Sequence, residues 1–187
     1  LLVSLDFWLP TVTFALSFSI FGIFFIGGPY VAVKVFNLSP TNMGIYLAFP
    51  SLGYVLGNVL VSKIANKVST KMLMIIGSFI LLLGPCSSLV LSNFFFHPLS
   101  FFLPILIMTF GSGIIWPASN AEIVKAIPHL AGSASGLGSA IMTLVSSFAA
   151  FLTGFYIENL NPINFVCYFL ILVGVLSFCS SLLTRSR

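Results

Sequence analysis

Six long stretches without a charged side chain divide this sequence, and they limit its fold more than any other feature. They are Phe7–Val33, Val35–Ser62, Met72–Phe96, Pro98–Ala121, Leu130–Ile157 and Asn159–Thr184. Each exceeds the roughly 20 residues that a helix needs to cross a hydrocarbon core of about 30 Å. Transmembrane β-strands would instead alternate polar and apolar residues over about ten positions. The pattern predicts an all-α integral membrane protein with helices at about 9–33, 41–62, 72–92, 99–120, 130–155 and 161–183.

Charge is scarce throughout the chain. Asp, Glu, Lys and Arg together make up 5% of the 187 residues, against about 25% in soluble domains. The mean hydropathy is +1.18, and the formal net charge of +4 is too small and too scattered for nucleic-acid binding. We therefore expect membrane lipid as the surroundings and no nucleic-acid partner. Because the sequence begins at Leu1 rather than Met, we also expect it to be part of a longer protein.

The basic residues predict the orientation in the membrane. If the helices alternate in direction, one side of the membrane receives Lys63, Lys67, Lys71, Lys125, Arg185 and Arg187. The other side receives only Lys34 among the lysines and arginines, together with His97 and Glu158. Because basic residues concentrate in cytoplasmic loops, the pattern predicts that both termini lie in the cytoplasm.

Small and polar residues recur at helical spacing in the second span. Ser51, Tyr54 and Asn58 form one stripe, and Gly53 and Gly57 form an adjacent G-x-x-x-G face, the spacing that lets membrane helices approach closely. A side-chain amide is costly in hydrocarbon without a partner, so we expect Asn58 to face the bundle or a water-filled cavity. Two interpretations stay open for it: a hydrogen bond between helices, or contact with a substrate.

The fifth span carries a second small-residue face. Gly132 and Gly136 form another G-x-x-x-G pair, and Ser135 and Ser139 fall in the same sector of a helical wheel. Such a face lets neighbouring backbones come close. We therefore predict that these four residues set contacts between helices.

The chemistry of an enzyme or a proton relay is missing from the spans. None of the six stretches contains an ionisable carboxylate, which proton-coupled transporters normally need at membrane depth. The three cysteines share no metal-site spacing, and no phosphate-binding loop is present. The sequence Gly132-Ser133-Ala134-Ser135-Gly136 is similar to a rhomboid-protease serine motif, but no His follows His129 to act as its base. We expect no enzymatic activity, no cofactor and no metal.

Two stretches carry glycine, proline and serine in the order seen in a known family. The first, FFIGGPYVAVKVFNLSPTNMGIYLAFPSLGYVLGN, has Gly28-Pro29-Tyr30, then Ser39-Pro40 and the glycines of the second span. The second, IIWPASNAEIVKAIPHLAGSASGLGSA, has Pro117 followed by an Ala-Gly-x-Ala-Ser-x-Leu run from Ala131 to Leu137. They resemble the seventh and eighth helices and the tenth-to-eleventh junction of the Bcr/CflA (bicyclomycin resistance-like) multidrug antiporters of the major facilitator superfamily.

That resemblance implies the carboxy-terminal half of a twelve-helix transporter, formed by residues 1–187 as two inverted three-helix repeats at about 1–95 and 96–187. It implies efflux of drug-like small molecules by proton antiport across a bacterial inner membrane, together with an amino-terminal six-helix half, fused or separate. The coupling acid of such antiporters generally lies in that other half. The residues that we expect to line the substrate cavity are Tyr30, Ser51, Tyr54, Asn58, Ser112 and Trp116.

Two other interpretations of the chain stay open at this point. One is a non-transporting membrane fragment left by a split or decayed transporter gene, which the missing buried acid favours. The other is a six-helix transporter that works as a homodimer, which would need a driving force other than a buried carboxylate.

Overall fold

A computed structural model describes residues 4–126 and 128–184, and within them the chain is helical. The six long helices are α1 (Leu5–Tyr30), α2 (Pro40–Ile64), α3 (Thr70–Phe94), α4 (Pro98–Ala126), α5 (Ala131–Tyr156) and α6 (Pro162–Leu183). All six are long and apolar enough to cross a membrane. Arg185 and Arg187, on which part of the orientation argument rests, lie outside the described residues.

Local sequence explains where several helices begin. Ser39 and Ser69 precede α2 and α3, and their hydroxyls accept hydrogen bonds from the backbone amides two or three residues into the helix, at 3.4 and 3.3 Å. Asn161 caps α6 in the same way, accepting from the Asn164 amide at 3.3 Å. Proline at the first position of α2 and α6 loses no helical hydrogen bond there, because that amide would be unpaired in any case.

Two helices extend further than the pattern of uncharged runs predicts. α4 continues to Ala126 rather than ending near residue 120, so that Glu122 and Lys125 belong to the helix. A charged side chain does not end a membrane helix where it can reach water or a polar partner. α1 passes through Gly27-Gly28-Pro29 without a break and continues as a π-helical turn, Val31–Val35, which carries Lys34.

The helices form two repeats with matching neighbours. α1 packs on α5 and α6, and α4 correspondingly packs on α2 and α3. The remaining major contacts, α1 with α4 and α3 with α6, join equivalent helices of the two repeats. Because helices alternate in direction when each one crosses the bilayer, α1 and α4 run oppositely, and the repeats are inverted.

α1 and α4 lie at the centre of the bundle, whereas α2 and α5 are its most exposed helices. The α2–α3 and α4–α5 connections lie at one end of the bundle, here called the basic end because it carries Lys63, Lys67, Lys71 and Lys125. The connections after α1, α3 and α5 lie at the opposite end. This arrangement leaves one face of α2 and one face of α5 uncovered by the described residues.

Candidate functional site

Four aromatic side chains from three helices meet around Trp116 of α4. The centroid of its indole six- and five-membered ring system lies 4.6 Å from the Phe18 ring, 5.0 Å from the Phe21 ring and 4.8 Å from the Tyr54 ring. All four residues are half-buried. We call Phe18, Phe21, Tyr54 and Trp116 the aromatic cluster.

Close approach of α2 to α4 brings Tyr54 to Trp116. Gly57 of α2 lies against Gly113 of α4, where a Cβ on either glycine would stand 3.1 Å from the Cα of the other. One turn away, Gly53 lies against the backbone of Leu106. Helices that touch through glycine can bring their axes nearer than side chains would allow, and the two rings then stack beside that contact.

Phe18 and Phe21 are functional candidates that the sequence reasoning missed. They belong to a series at helical spacing along α1, namely Phe14, Phe18, Phe21 and Phe25. That i, i+4, i+7, i+11 periodicity was the available signal, because it places four aromatic rings on one helical face. It was hidden by the abundance of phenylalanine, which occurs 21 times in the chain.

The cluster contains a buried donor without an acceptor. The Trp116 Nε1 atom has no hydrogen-bond partner among the described residues, and neither do the hydroxyls of Ser78 and Ser119. A buried, unpaired N–H group is costly, by about 1–3 kcal/mol. An acceptor supplied by a ligand, by water or by another part of the protein would remove that cost.

The other residues expected to line the cavity are not all brought to this cluster. Tyr30 lies nine residues beyond Phe21 on α1, about 13 Å along the axis at 1.5 Å per residue, and packs against the core. Ser51 is exposed on α2. Ser112 is fully buried, and its hydroxyl donates to the Met108 carbonyl at 3.2 Å. Ser112 therefore does not line an open surface in this half, which corrects the prediction for it.

Asn58 lies beside a separate cleft at the basic end. Its Nδ2 donates to the carbonyl of Tyr54, one turn earlier in the same helix, at 3.0 Å. The amide also borders a cleft of 310 Å³ between α2, α3 and α4. The hydrogen bond that satisfies it is thus within its own helix, and not the bond between helices that was one of the two interpretations.

The two small-residue faces have different surroundings. Gly53 and Gly57 lie in close contact with α4, as described above. In contrast, no atom lies within 4 Å of where a Cβ would stand on Gly132 or Gly136, and Ser139 is exposed. As a contact among the six helices, the predicted packing of these α5 residues is wrong. Ser135 alone reaches another helix, donating to Asn120 Oδ1 at 3.1 Å.

A polar group at the basic end links α3 and α4. The Thr70 hydroxyl donates to the Glu122 carboxylate, and the Lys125 ammonium lies 3.2 Å from that hydroxyl and 3.4 Å from the carboxylate. The Glu122 side chain is only 12% exposed and that of Lys125 is 62% exposed. The sequence suggested a solvated charge in a turn for Glu122, and the structure corrects this because the carboxylate is covered between two helices.

No charged residue belongs to the aromatic cluster, so its chemistry is that of apolar contact, ring stacking and hydrogen bonding. Among residues 4–126 and 128–184, no group of three or more His, Cys, Asp or Glu side chains could hold a metal ion. The cluster can bind a flat apolar molecule that offers a hydrogen-bond acceptor to the indole N–H.

One family model matches this chain. Its description is "Major Facilitator Superfamily", and it covers residues 1–150, which include α1 to α4 and most of α5. No curated protein matches the sequence at a significant level.

Proposed function

Because this chain belongs to the Major Facilitator Superfamily, a family of membrane transporters, we propose that it is the carboxy-terminal half of a drug–proton antiporter of the Bcr/CflA type. Membership and the six apolar helices make it a multi-pass membrane protein of a transport family, surrounded by lipid. The finer proposal is that it expels drug-like small molecules together with an amino-terminal six-helix half.

The aromatic cluster is the observation that carries this proposal. It joins the two central helices, α1 and α4, to α2, one of the two most exposed helices. Transporters of this architecture bind substrate near the bilayer midplane between their halves. Pockets for drug-sized ligands are mainly apolar and aromatic with a few polar groups. Rings at this position, with one unpaired N–H donor, fit that description.

Transport then requires the other half to cover the exposed faces of α2 and α5. In that complex Tyr54 and Trp116 contact the substrate, and the glycines of α5 that lack neighbours here contact the other half. Rocking of one half against the other exposes the site to each side of the membrane in turn. No carboxylate lies in the aromatic cluster, so the acid that couples transport to protons belongs to the amino-terminal half.

The proposed location is a bacterial inner membrane with the basic end in the cytoplasm. Among the described lysines, Lys63, Lys67, Lys71 and Lys125 lie at that end and Lys34 lies at the other. This asymmetry supports the proposal, because lysine and arginine are enriched in cytoplasmic loops. Both termini lie at the same end as the four lysines in this arrangement.

Drug accumulation in efflux-deficient bacteria tests the function. The cells would express the complete reading frame that contains this sequence, either unchanged or with Trp116→Ala. Phe79→Ala is the matched control, since Phe79 is an exposed aromatic on α3 away from the cluster. We expect expulsion that a protonophore stops, that Trp116→Ala abolishes and that Phe79→Ala leaves unchanged.

Two results would contradict the proposal. One is expulsion that ignores both the protonophore and the Trp116 substitution. The other is a reading frame without a further six spans and no expulsion, which would support the interpretation as a non-transporting fragment of a split or decayed gene. Expulsion by the 187-residue chain alone would favour a homodimeric transporter instead.

A further inference from the structure

An apolar cleft separates α5 from α6 at the end opposite the basic end. Both helices pack on α1, and they diverge from one another toward the 157–161 connection. The cleft has a volume of 510 Å³, within the roughly 300–1,000 Å³ of sites that hold drug-sized molecules. Its lining residues are Leu152, Tyr156, Leu160, Asn161, Asn164, Phe165, Tyr168, Phe169 and Leu172.

The polar and apolar groups of this cleft are separated along its length. Asn161 and Asn164 lie at the start of α6, beside the connection, whereas Phe169 and Leu172 lie deeper. From Asn161 to Leu172 the helix rises by about 16 Å at 1.5 Å per residue. That length is about half of the roughly 30 Å hydrocarbon core. The cleft therefore has the depth of one leaflet, with its amides at the level of the headgroups.

The cleft faces away from the surface that the other half of the transporter would cover. Leu152 follows Gly136 by sixteen residues on α5, which at 100° per residue places it about 160° around the helix and about 24 Å along it. An occupant of the cleft would thus come from the bilayer and not from the proposed partner half. The cleft residues also lie beyond residue 150, where the family match ends.

Charge at the mouth selects among lipid headgroups. None of the lining residues is charged, but Glu158 is exposed in the short connection between Tyr156 and Leu160. Among the described residues its carboxylate has no ion pair. Lys34 lies at the same end, on the turn after α1, and does not line the cleft. An ammonium group complements this carboxylate and the Tyr156 ring, whereas a headgroup with net negative charge is repelled.

We propose that the cleft binds a phospholipid with a zwitterionic, ammonium-bearing headgroup, such as phosphatidylethanolamine, in the leaflet opposite the basic end. One acyl chain lies along Phe165, Phe169 and Leu172. The ammonium group meets Glu158, and the amides of Asn161 and Asn164 lie beside the phosphate and glycerol groups.

Native mass spectrometry of the protein in mild detergent tests this proposal. The protein would be purified from membranes that contain both phosphatidylethanolamine and phosphatidylglycerol. We expect one retained phosphatidylethanolamine per chain. Leu172→Trp fills the cleft and should remove most of that lipid. Leu176→Trp, one turn further along α6 at an exposed position that does not line the cleft, should retain it.

A second substitution tests the headgroup separately. Glu158→Gln should lower the preference for phosphatidylethanolamine over phosphatidylglycerol by up to roughly fivefold, the range of one exposed charge pair, without removing bound lipid. Preferential retention of phosphatidylglycerol by the unchanged protein would overturn the proposal. So would equal lipid retention by the two tryptophan variants.

A fluorescence measurement covers the case in which Leu172→Trp does not fold. A bimane probe on Tyr168→Cys, in a protein without its other cysteines, should be quenched more by spin-labelled phosphatidylethanolamine than by spin-labelled phosphatidylglycerol. A probe on Phe79→Cys of α3 should show no such difference. Equal quenching at both positions by both lipids would mean that ordinary bilayer fills the cleft, which contradicts a binding site.

Discussion

The contact between α2 and α4 gives the sharpest prediction about stability. Gly57→Ala adds one methyl group where the backbones of the two helices touch. That methyl would stand 3.1 Å from Gly113 Cα and against the Phe110 carbonyl, and neither backbone atom can rotate away. Gly44→Ala on the same helix is the matched control, because no atom lies within 4 Å of its added methyl.

The expected size of the effect follows from these contacts. Overpacking against an unyielding neighbour destabilises by about 3 kcal/mol at the upper end of its usual range. Replacing glycine by alanine within a helix recovers about 1 kcal/mol of propensity. Gly57→Ala should therefore lower the free energy of unfolding by about 2 kcal/mol. Gly44→Ala should leave it unchanged or raise it by up to about 1 kcal/mol.

Reversible unfolding in mixed micelles of dodecyl maltoside and SDS, followed by far-UV circular dichroism, would measure both variants. We expect the midpoint of Gly57→Ala to move to lower SDS fraction and that of Gly44→Ala to stay or move upward. If the two variants unfold at the same SDS fraction, the helices do not touch at Gly57, and the geometry that brings Tyr54 to Trp116 is refuted.

Three further predictions concern packing elsewhere. Ser180→Ala removes hydrogen bonds from α6 to α1 and should destabilise by about 0.6 and at most about 1.7 kcal/mol, whereas Ser87→Ala, whose hydroxyl bonds only its own helix, should destabilise less; the reverse order would contradict the contact. N-Ethylmaleimide should label the exposed Cys86 in dodecyl maltoside but the buried Cys167 only after unfolding in SDS, and equal labelling rates would contradict the burial. Lys125→Ala should change the unfolding free energy by less than about 1 kcal/mol, because its ammonium is largely in water, and a larger loss in chemical denaturation would show a stronger link between α3 and α4.

The helical fold was predictable because the solvent is a bilayer. A stretch such as Met72–Phe96 has no charged residue and cannot satisfy its backbone in hydrocarbon except as a helix. Charges gave a poorer guide to helix ends. Glu122 and Lys125 stay within α4 because Thr70 and water satisfy them, and no pattern within α4 reveals a partner that lies on α3.

Site residues were harder to predict because a small-residue pattern marks a bare backbone without naming its neighbour. The same G-x-x-x-G spacing is covered at Gly53 and Gly57 but uncovered at Gly132 and Gly136. Which case applies depends on where α4 lies relative to α2 and α5, and that is a property of the whole bundle.

Serine patterns have the same weakness. Ser112 shares its helix with Trp116, yet it bonds to its own backbone inside the bundle. A hydroxyl that can satisfy itself by bonding one turn back carries no signal of an open cavity.

The most direct test of the proposed function is the reactivity of a cysteine placed in the aromatic cluster. Tyr54→Cys would be made in the complete protein without its native cysteines, and treated in membranes with a charged, membrane-impermeant thiol reagent. Phe79→Cys on α3 serves as the control on a lipid-facing surface. We predict that Cys at position 54 reacts and that an expelled drug protects it, because a water-filled transport cavity lies there, whereas position 79 stays unreactive. If both positions are equally unreactive, or if no drug protects position 54, the aromatic cluster does not line a transport path.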